Sequence, residues 1–212
     1  MAHPTTTMIN AMPGTPAPEF AGTSVISDRG FTECSLSNLI SNDRWLVLMF
    51  FPMGFGYIAP TELIAMENIR PDLEALNCSV LACSTDAALI HEKFMSLAPA
   101  EGGVNGIRFP LLEDVNGDIS ESYGVMREGS GYSFRAYFII DPQGIIRSRV
   151  VCDLPIGLGI KDIVQKVEYL KAAVNQDEWD FSAFEKLQVK EEALATPPSD
   201  VPQVPESPTS LG

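Results

Sequence analysis

The sequence predicts an α/β domain in which helices pack on the faces of a mixed central sheet. An unbroken apolar run at residues 45–51, WLVLMFF, has the length and composition of a strand that is buried on both faces. Apolar residues then recur every three or four positions, which is the spacing of one helix face. Later, RAYFIID leads through a turn into another apolar stretch. This pattern is typical of a hairpin, whose antiparallel pair makes the sheet mixed.

The first predicted helix follows the strand at residues 45–51. Its apolar face comprises Leu63, Met66, Ile69, Leu73 and Leu76. Pro71 is expected to kink this helix, because proline removes a hydrogen bond from the helix interior. Residues 79–85, SVLACST, predict a second strand, and a polar helical stretch follows before the apolar segment FPLLED with NGDI behind it.

A hairpin and a further helix complete the predicted domain. Residues 135–141 and 145–151 predict the two strands of the hairpin, and Asp141-Pro142-Gln143-Gly144 predicts the turn between them. Residues 162–174 predict the helix, whose apolar face comprises Ile163, Val164, Val167, Leu170 and Val174.

The chain is expected to divide into three parts. Residues 1–20 are rich in Thr, Pro and Ala and predict a flexible arm, residues 21–174 form the folded domain, and residues 175–212 form an acidic, Pro-rich tail. From Gln176 onward there are eight acidic residues and two lysines. Within this tail, aromatic and apolar residues around a capping-box pattern predict a short amphipathic helix, docked on its own domain or on a partner: Trp179, Phe181, Phe184 and Leu187.

Charge and cysteine usage exclude several classes of function. The net charge of −14 repels the phosphates of nucleic acids and of anionic membranes, so neither is an expected partner. No apolar run approaches the length of a spanning helix, and the N-terminal residues do not resemble a signal peptide. The four cysteines are widely spaced, without a CxxC pair or a metal-ligand pattern. We therefore expect a cytoplasmic protein without a metal or cofactor.

Residues 44–66, RWLVLMFFPMGFGYIAPTELIAM, resemble the strand, loop and helix of the peroxiredoxins (AhpC/TSA, typical two-cysteine type). In that family a Pro-x-x-x-Thr-x-x-Cys motif precedes Pro-Thr-Glu. Further similar segments extend the resemblance over about residues 31–174: LNCSVLACSTD, FPLLED, SYGV, FRAYFIID and DLPIG. The resemblance implies a thioredoxin-like fold and an ancestry in thiol-dependent peroxide reduction.

The family's active-site positions fall on five residues of this chain. Pro52 matches the proline that shields the site, and Glu62 and Arg135 match a glutamate and the arginine it pairs with. Gly56 stands at the threonine position, and Ala59 stands at the position of the peroxidatic cysteine. The resemblance therefore implies that no intact catalytic set remains.

The rest of the family's redox machinery is also altered in this sequence. Leu158 stands where the family usually has a second arginine, and EGGVNG is similar to a degraded form of the family's GGLG loop. The last cysteine is Cys152, so the tail has no resolving Cys-Pro motif. The lone His91 matches a family histidine and is expected to be structural.

Peroxide reduction needs an ionised sulfur, which a helix N-terminus and a nearby arginine both favour. Pro60 is well suited to the first position of that helix, because its fixed φ matches the first turn. Alanine supplies no nucleophile whatever its surroundings. The first hypothesis is accordingly a pseudo-peroxidase with a scaffold, assembly or redox-associated role. The expected partners are a second copy, a larger homo-oligomer or an active paralogue.

The alternative hypothesis is an active, thioredoxin-dependent peroxidase that uses another cysteine. Cys78 and Cys83 are expected to be small buried apolar residues, and Cys152 lies beside Asp153, which opposes ionisation. Cys34 is expected in a surface segment, where it is at best a redox-sensitive thiol. A third idea is that the vacated pocket binds a small anion at Arg135, although water filling the space is the favoured expectation.

Overall fold

The computed structural model describes residues 11–26 and 29–174. Its strands form one seven-stranded sheet in the order β2-β1-β5-β4-β3-β6-β7. The strands are β1 (Ala21–Ile26), β2 (Gly30–Ser35), β3 (Trp45–Phe50), β4 (Cys78–Ser84), β5 (Leu111–Glu113), β6 (Arg135–Ile140) and β7 (Ile146–Cys152). The helices are α1 (Leu36–Leu39), α2 (Ala59–Ala75), α3 (Ala88–Ser96), α4 (Asp118–Ser122) and α5 (Ile163–Val174), with short 3₁₀ turns at Pro99–Glu101 and Ile160–Asp162.

The sheet is mixed, as the sequence predicts. β3 pairs in parallel with β4, and β4 with β5, whereas β1–β2, β1–β5, β3–β6 and β6–β7 are antiparallel pairs. β3 and β6 are buried at every residue because each lies inside the sheet and is covered on both faces. The predicted α/β architecture is confirmed.

An aromatic cluster fills the core on one face of the sheet. The Phe50 ring lies 5.4 Å from the Tyr123 ring and 5.8 Å from the Phe138 ring, and Tyr123 and Phe138 are 5.0 Å apart. Pairs of rings at these distances add about 0.5–1.5 kcal/mol beyond their area burial. All three side chains are fully buried.

The predicted elements of the central domain are present with small shifts at their ends. α2 begins at Ala59, one residue before the predicted start at Pro60, and it continues through the exposed Pro71. The predicted hairpin is β6–β7. Its turn closes because one oxygen of the buried Asp141 carboxylate accepts from the N–H groups of Gln143 and Ile145, each at 2.9 Å.

The N-terminal hairpin β1–β2 has no counterpart in the predicted elements. It also corrects the position of Cys34, which was expected in a surface segment. Cys34 lies in β2, opposite Gly22 of β1, and is buried in the hydrophobic core. Cys34 is the one buried residue of this strand, and the exposed Phe31 and Glu33 hide the pattern of a core strand.

Residues 11–20 differ from the flexible arm expected for them. The Gly14 N–H donates to the Ile146 carbonyl and the Ala17 N–H to the Gly144 carbonyl, each at 2.8 Å. The Tyr123 hydroxyl donates to the Pro18 carbonyl at 2.8 Å. These bonds hold the segment on the β6–β7 turn and on the aromatic core, so its Pro and Ala content reflects an extended packed chain.

The chain divides into two units, Met1–Glu168 and Tyr169–Gly212. Of the second unit the structure describes only residues 169–174, at the end of α5. The predicted tail and its amphipathic helix around Trp179 lie outside the described residues, and the division into arm, domain and tail stays a prediction. Within the described ranges, no helix is both long and apolar enough to cross a bilayer.

Candidate functional site

The candidate site lies at the start of α2. Residues 51–58 connect the end of β3 to this helix, so they bring its N-terminus to the end of a buried strand. Ala59 is the first helical residue, with 1% of its surface exposed, and Pro60 follows it. Proline is tolerated in the first turn, because the N–H that it lacks has no partner inside a helix there.

A buried ion pair lies next to Ala59. Glu62, in the first turn of α2, accepts a hydrogen bond from Nη1 of Arg135, the first residue of β6. Each residue is 6% exposed. Burial raises the pKa of the Glu62 carboxyl, and the Arg135 charge and the hydrogen bonds to the carboxylate oppose that rise. Arg135 and Glu62 are therefore brought together as the sequence analysis expected.

Main-chain groups of residues 153–158 complete the hydrogen bonding of this pair. Nε of Arg135 donates to the Leu154 carbonyl at 2.8 Å, and the Leu158 N–H donates to Oε1 of Glu62 at 3.0 Å. The Leu158 side chain, which stands where the family usually has a second arginine, is 4% exposed. The structure adds a main-chain role that any residue except proline can fill.

Pro52 and Gly56 both lie in the connecting loop. Pro52 is buried directly behind the end of β3, and Gly56 is half-buried. A Cβ atom at Gly56 would lie 3.6 Å from Met53, which is ordinary contact, and its φ does not require glycine. The outer side of this loop carries three exposed apolar side chains, Met53, Phe55 and Tyr57.

The residues that hold this loop in place were not predicted from the sequence. The Gly54 N–H donates to Oδ2 of Asp86 at 2.7 Å, and the Ser84 hydroxyl donates to the same oxygen at 3.0 Å. The Ser84 oxygen lies 2.8 Å from Nε2 of the fully buried His91, whose pKa is lowered by burial. The available signal was a serine at the end of the predicted strand 79–85, an aspartate directly after that strand, and a histidine in the helical stretch that follows.

Gly54 also allows the loop to approach α3. A Cβ atom at this position would lie 3.1 Å from Cδ1 of Phe94, closer than most real contacts. Phe94 is fully buried and packs against the Phe55 ring at a centroid distance of 5.0 Å. The loop is thus fixed by a hydrogen bond to Asp86 and by close packing on Phe94.

Three of the four cysteines are buried. Burial raises the pKa of Cys34 to about 11, and it raises the pKa of Cys83 well above its ordinary value. Cys78, at the start of β4, is also fully buried. Thiols in such surroundings are poor nucleophiles, because the reactive form is the thiolate.

Cys152 is the half-buried exception, at the end of β7. It lies directly opposite Arg135 in the register of β6 and β7. Residues that face each other across an antiparallel pair project to the same face of the sheet. The fourth cysteine therefore shares a sheet face with the arginine of the candidate site.

Within the described ranges, no group of three or more His, Cys, Asp or Glu side chains is placed to hold a metal ion. The polar groups that the site offers are the Arg135 guanidinium, the Glu62 carboxylate and main-chain N–H groups. Such groups bind and orient an oxyanion or a peroxide, but they do not supply a nucleophile.

The sequence matches the AhpC/TSA family over residues 13–149, more than half of the chain. Peroxiredoxin-2 of Cricetulus griseus is 38% identical over 159 residues, which cover 75% of this chain and 79% of that protein. The reduced 2-Cys peroxiredoxin of Plasmodium vivax superposes with a TM-score of 0.74 at 28% identity, covering 80% of this chain and 90% of that one.

A third similar structure is Plasmodium yoelii Prx1a, described as modified at its N-terminus and forming an artifactual octamer. It has a TM-score of 0.73 at 27% identity, over 80% of this chain and 96% of that one. These similarities confirm the thioredoxin-like fold that the sequence predicts. By sequence and by structure, this chain belongs to the AhpC/TSA family and is homologous to the 2-Cys peroxiredoxins.

Proposed function

We propose that this chain is a peroxiredoxin-like pseudo-peroxidase, which assembles with itself or with an active relative and does not reduce peroxide at the start of α2. The observation that carries the proposal is Ala59. It occupies the first position of α2, beside the buried pair of Glu62 and Arg135, where the family resemblance places the sulfur nucleophile. A methyl group there leaves the surrounding groups without a reactant.

The state of the other thiols supports the same conclusion. Cys34, Cys78 and Cys83 are buried, and the pKa is raised for Cys34 and Cys83. None of the four cysteines, all of which lie in the described part of the chain, forms a disulfide, which suits the reducing environment of a cytoplasm. The proposed site of action is accordingly cytoplasmic.

Two surfaces support a role in assembly. The loop before α2 exposes Phe55 and Tyr57, whose rings favour contact with another protein chain. β7 is an edge strand of the sheet with an exposed Val151. Residues 14 and 15 bond to Ile146 at its start, and the edge beyond Ile146 is where another strand could add by main-chain hydrogen bonds. The artifactual octamer described for the N-terminally modified Plasmodium yoelii Prx1a shows that a chain with this fold can self-associate.

Peroxide consumption with a thioredoxin or dithiothreitol donor tests the loss of chemistry. The wild-type chain and an Ala59→Ser variant should be inactive, and Ala59→Cys should gain turnover. Ala59→Ser is the matched control, because it adds a hydroxyl oxygen where Ala59→Cys adds a sulfur. For scale, loss of a catalytic nucleophile elsewhere lowers turnover by about 10⁶-fold. Wild-type turnover equal to that of Ala59→Cys would contradict the proposal.

Mass measurement in solution tests the assembly role. The wild-type chain should form a dimer or a larger oligomer at micromolar concentration. A Tyr57→Ser variant should weaken assembly beyond the dimer, whereas Leu89→Ser, at an exposed position of α3, should not. A strict monomer in the wild type counts decisively against a scaffold function.

A second candidate function rests on Cys152. Its position opposite Arg135 places a half-buried thiol on the same sheet face as the arginine. In this alternative the chain is an active thiol peroxidase that uses Cys152. Wild-type turnover that is abolished by Cys152→Ser and kept by Cys34→Ser supports it, whereas equal rates in the two variants exclude Cys152 as the nucleophile.

A further inference from the structure

A cleft of about 370 Å³ is lined by four arginines: Arg29, Arg44, Arg70 and Arg108. The whole sequence has only 14 basic residues against 28 acidic ones, so this concentration of positive charge departs sharply from the rest of the molecule. The cleft does not include any residue of the candidate site at the start of α2.

Strand directions explain why these residues meet. β3, β4 and β5 run parallel, so their first residues lie side by side at one end of the strands. Arg44 directly precedes β3, Ser79 is the second residue of β4, and Arg108 lies three residues before β5. α2 begins after the C-terminal end of β3, whereas the cleft lies at the N-terminal ends of β3, β4 and β5. The cleft and the candidate site therefore lie at opposite ends of the parallel strands.

β1 and α2 bring the remaining arginines to the same end of the parallel strands. β1 runs antiparallel to β5, with Val25 opposite Leu111, so Ile26 ends β1 beside the start of β5 and Arg29 follows it. Arg70 belongs to the last turns of α2, which lead into β4. The fold therefore assembles the arginines from four separate parts of the sequence.

Nearby carboxylates balance Arg70. Its Nε lies 2.9 Å from Oε1 of Glu67, and its Nη1 lies 2.5 Å from Oε1 of Glu74. The other oxygen of Glu67 accepts the main-chain N–H of Arg108 at 2.9 Å. Glu67 is thus engaged by Arg70 and by the main chain, and Glu74 is engaged by Arg70.

No carboxylate in the described part of the chain pairs with the side chain of Arg44 or Arg108. Nε of Arg44 is buried and has no hydrogen-bond partner among the described residues. A buried donor without a partner is energetically unfavourable, so an acceptor bound against Arg44 would relieve that cost.

We propose that this cleft binds a small phosphate-bearing metabolite, with Arg44 and Arg108 donating hydrogen bonds to the phosphate oxygens. Phosphate suits the site because its charge offsets two cations, and each planar guanidinium can donate to two of its oxygens. The cleft volume lies within the range of small-molecule sites. Its apolar walls accommodate the body of an organic phosphate: Ile26, Leu39, Val80, Phe109 and Pro110.

Isothermal titration calorimetry on the full chain tests this site. The probes are inorganic phosphate, pyrophosphate, ADP and citrate, at constant ionic strength, because screening weakens all surface attraction. Pyrophosphate or ADP should bind saturably. Arg44→Gln and Arg108→Gln should each weaken that binding about tenfold or more, as the loss of a charge-assisted hydrogen bond implies. Lys93→Gln, which removes one positive charge from the exposed face of α3, should leave it unchanged.

The reverse results overturn the proposal. These are the absence of saturable binding of any phosphate probe at millimolar concentration, binding of citrate alone, or binding that Arg44→Gln and Arg108→Gln leave intact. Binding that is lost only in Arg135→Ala places the anion at the candidate site near the start of α2 and equally refutes binding in this cleft. A ¹⁵N NMR titration provides a second readout, in which the side-chain Nε–H signal of Arg44 should shift with ADP. Thermal melting of each variant confirms that it is folded.

Discussion

Native protein treated with the thiol reagent DTNB at about pH 8 should react at one cysteine out of four, and that cysteine is Cys152. The prediction follows from burial and ionisation together. Cys152 is half-buried at the end of β7, whereas Cys34, Cys78 and Cys83 are buried. The number of reactive cysteines sets how much thiol chemistry remains available to this chain.

The magnitude follows from the pKa of Cys34. Burial raises it from 9.0 to about 11, so the thiolate fraction at about pH 8 falls roughly a hundredfold, to about one molecule in a thousand. Restricted access for the reagent slows the reaction further. Cys83 should react more slowly still, because its pKa is raised well above the ordinary value and the residue is fully buried.

The assay is the release of thionitrobenzoate with and without denaturant. One equivalent per chain should appear quickly under native conditions, and four should appear after unfolding in urea. Cys152→Ser should remove the fast phase, while Cys34→Ser should leave it intact and lower the total by one. Two or more fast equivalents, or a fast phase that survives Cys152→Ser, would refute the burial argument.

Two further predictions concern the loop and its support. Gly54→Ala should destabilise the protein by about 1–3 kcal/mol, because its methyl group meets the Phe94 ring, whereas Gly56→Ala should be neutral or stabilising by up to about 1 kcal/mol. Urea unfolding measures both, and equal effects would contradict the loop geometry. The lowered pKa of His91 keeps it neutral while the unfolded chain gains a proton below about pH 6.5, so the unfolding free energy should fall as pH drops through that value. His91→Asn should flatten that part of the pH profile, and an unchanged slope would exclude this contribution.

The central strands could be predicted because their own residues specify them. β3 is an unbroken apolar run, and such a run has one favourable location, between two covered faces of a sheet. The β6–β7 hairpin could be predicted equally well, since Asp141 and Gly144 both favour the observed turn. In each case the determining contacts are local or follow from composition.

The N-terminal hairpin and the loop support could not be predicted in the same way. Cys34 is buried because β1 and β5 bring β2 onto the core, and nothing in the sequence near Cys34 specifies that packing. The bond from Gly54 to Asp86 joins residues 32 positions apart. Long-range hydrogen bonds of this kind leave no periodic signal along the chain. The pairing of Glu62 with Arg135 was expected only through the family resemblance.

The main-chain hydrogen bond from Leu158 to Glu62 has a consequence for protein engineering. Since every amino acid except proline carries that N–H, the support of the buried pair is separable from the side chain at this position. A combinatorial library at positions 56, 59 and 158 could therefore sample new reactive groups on an unchanged scaffold. Leu158→Pro is the substitution that such a library should omit.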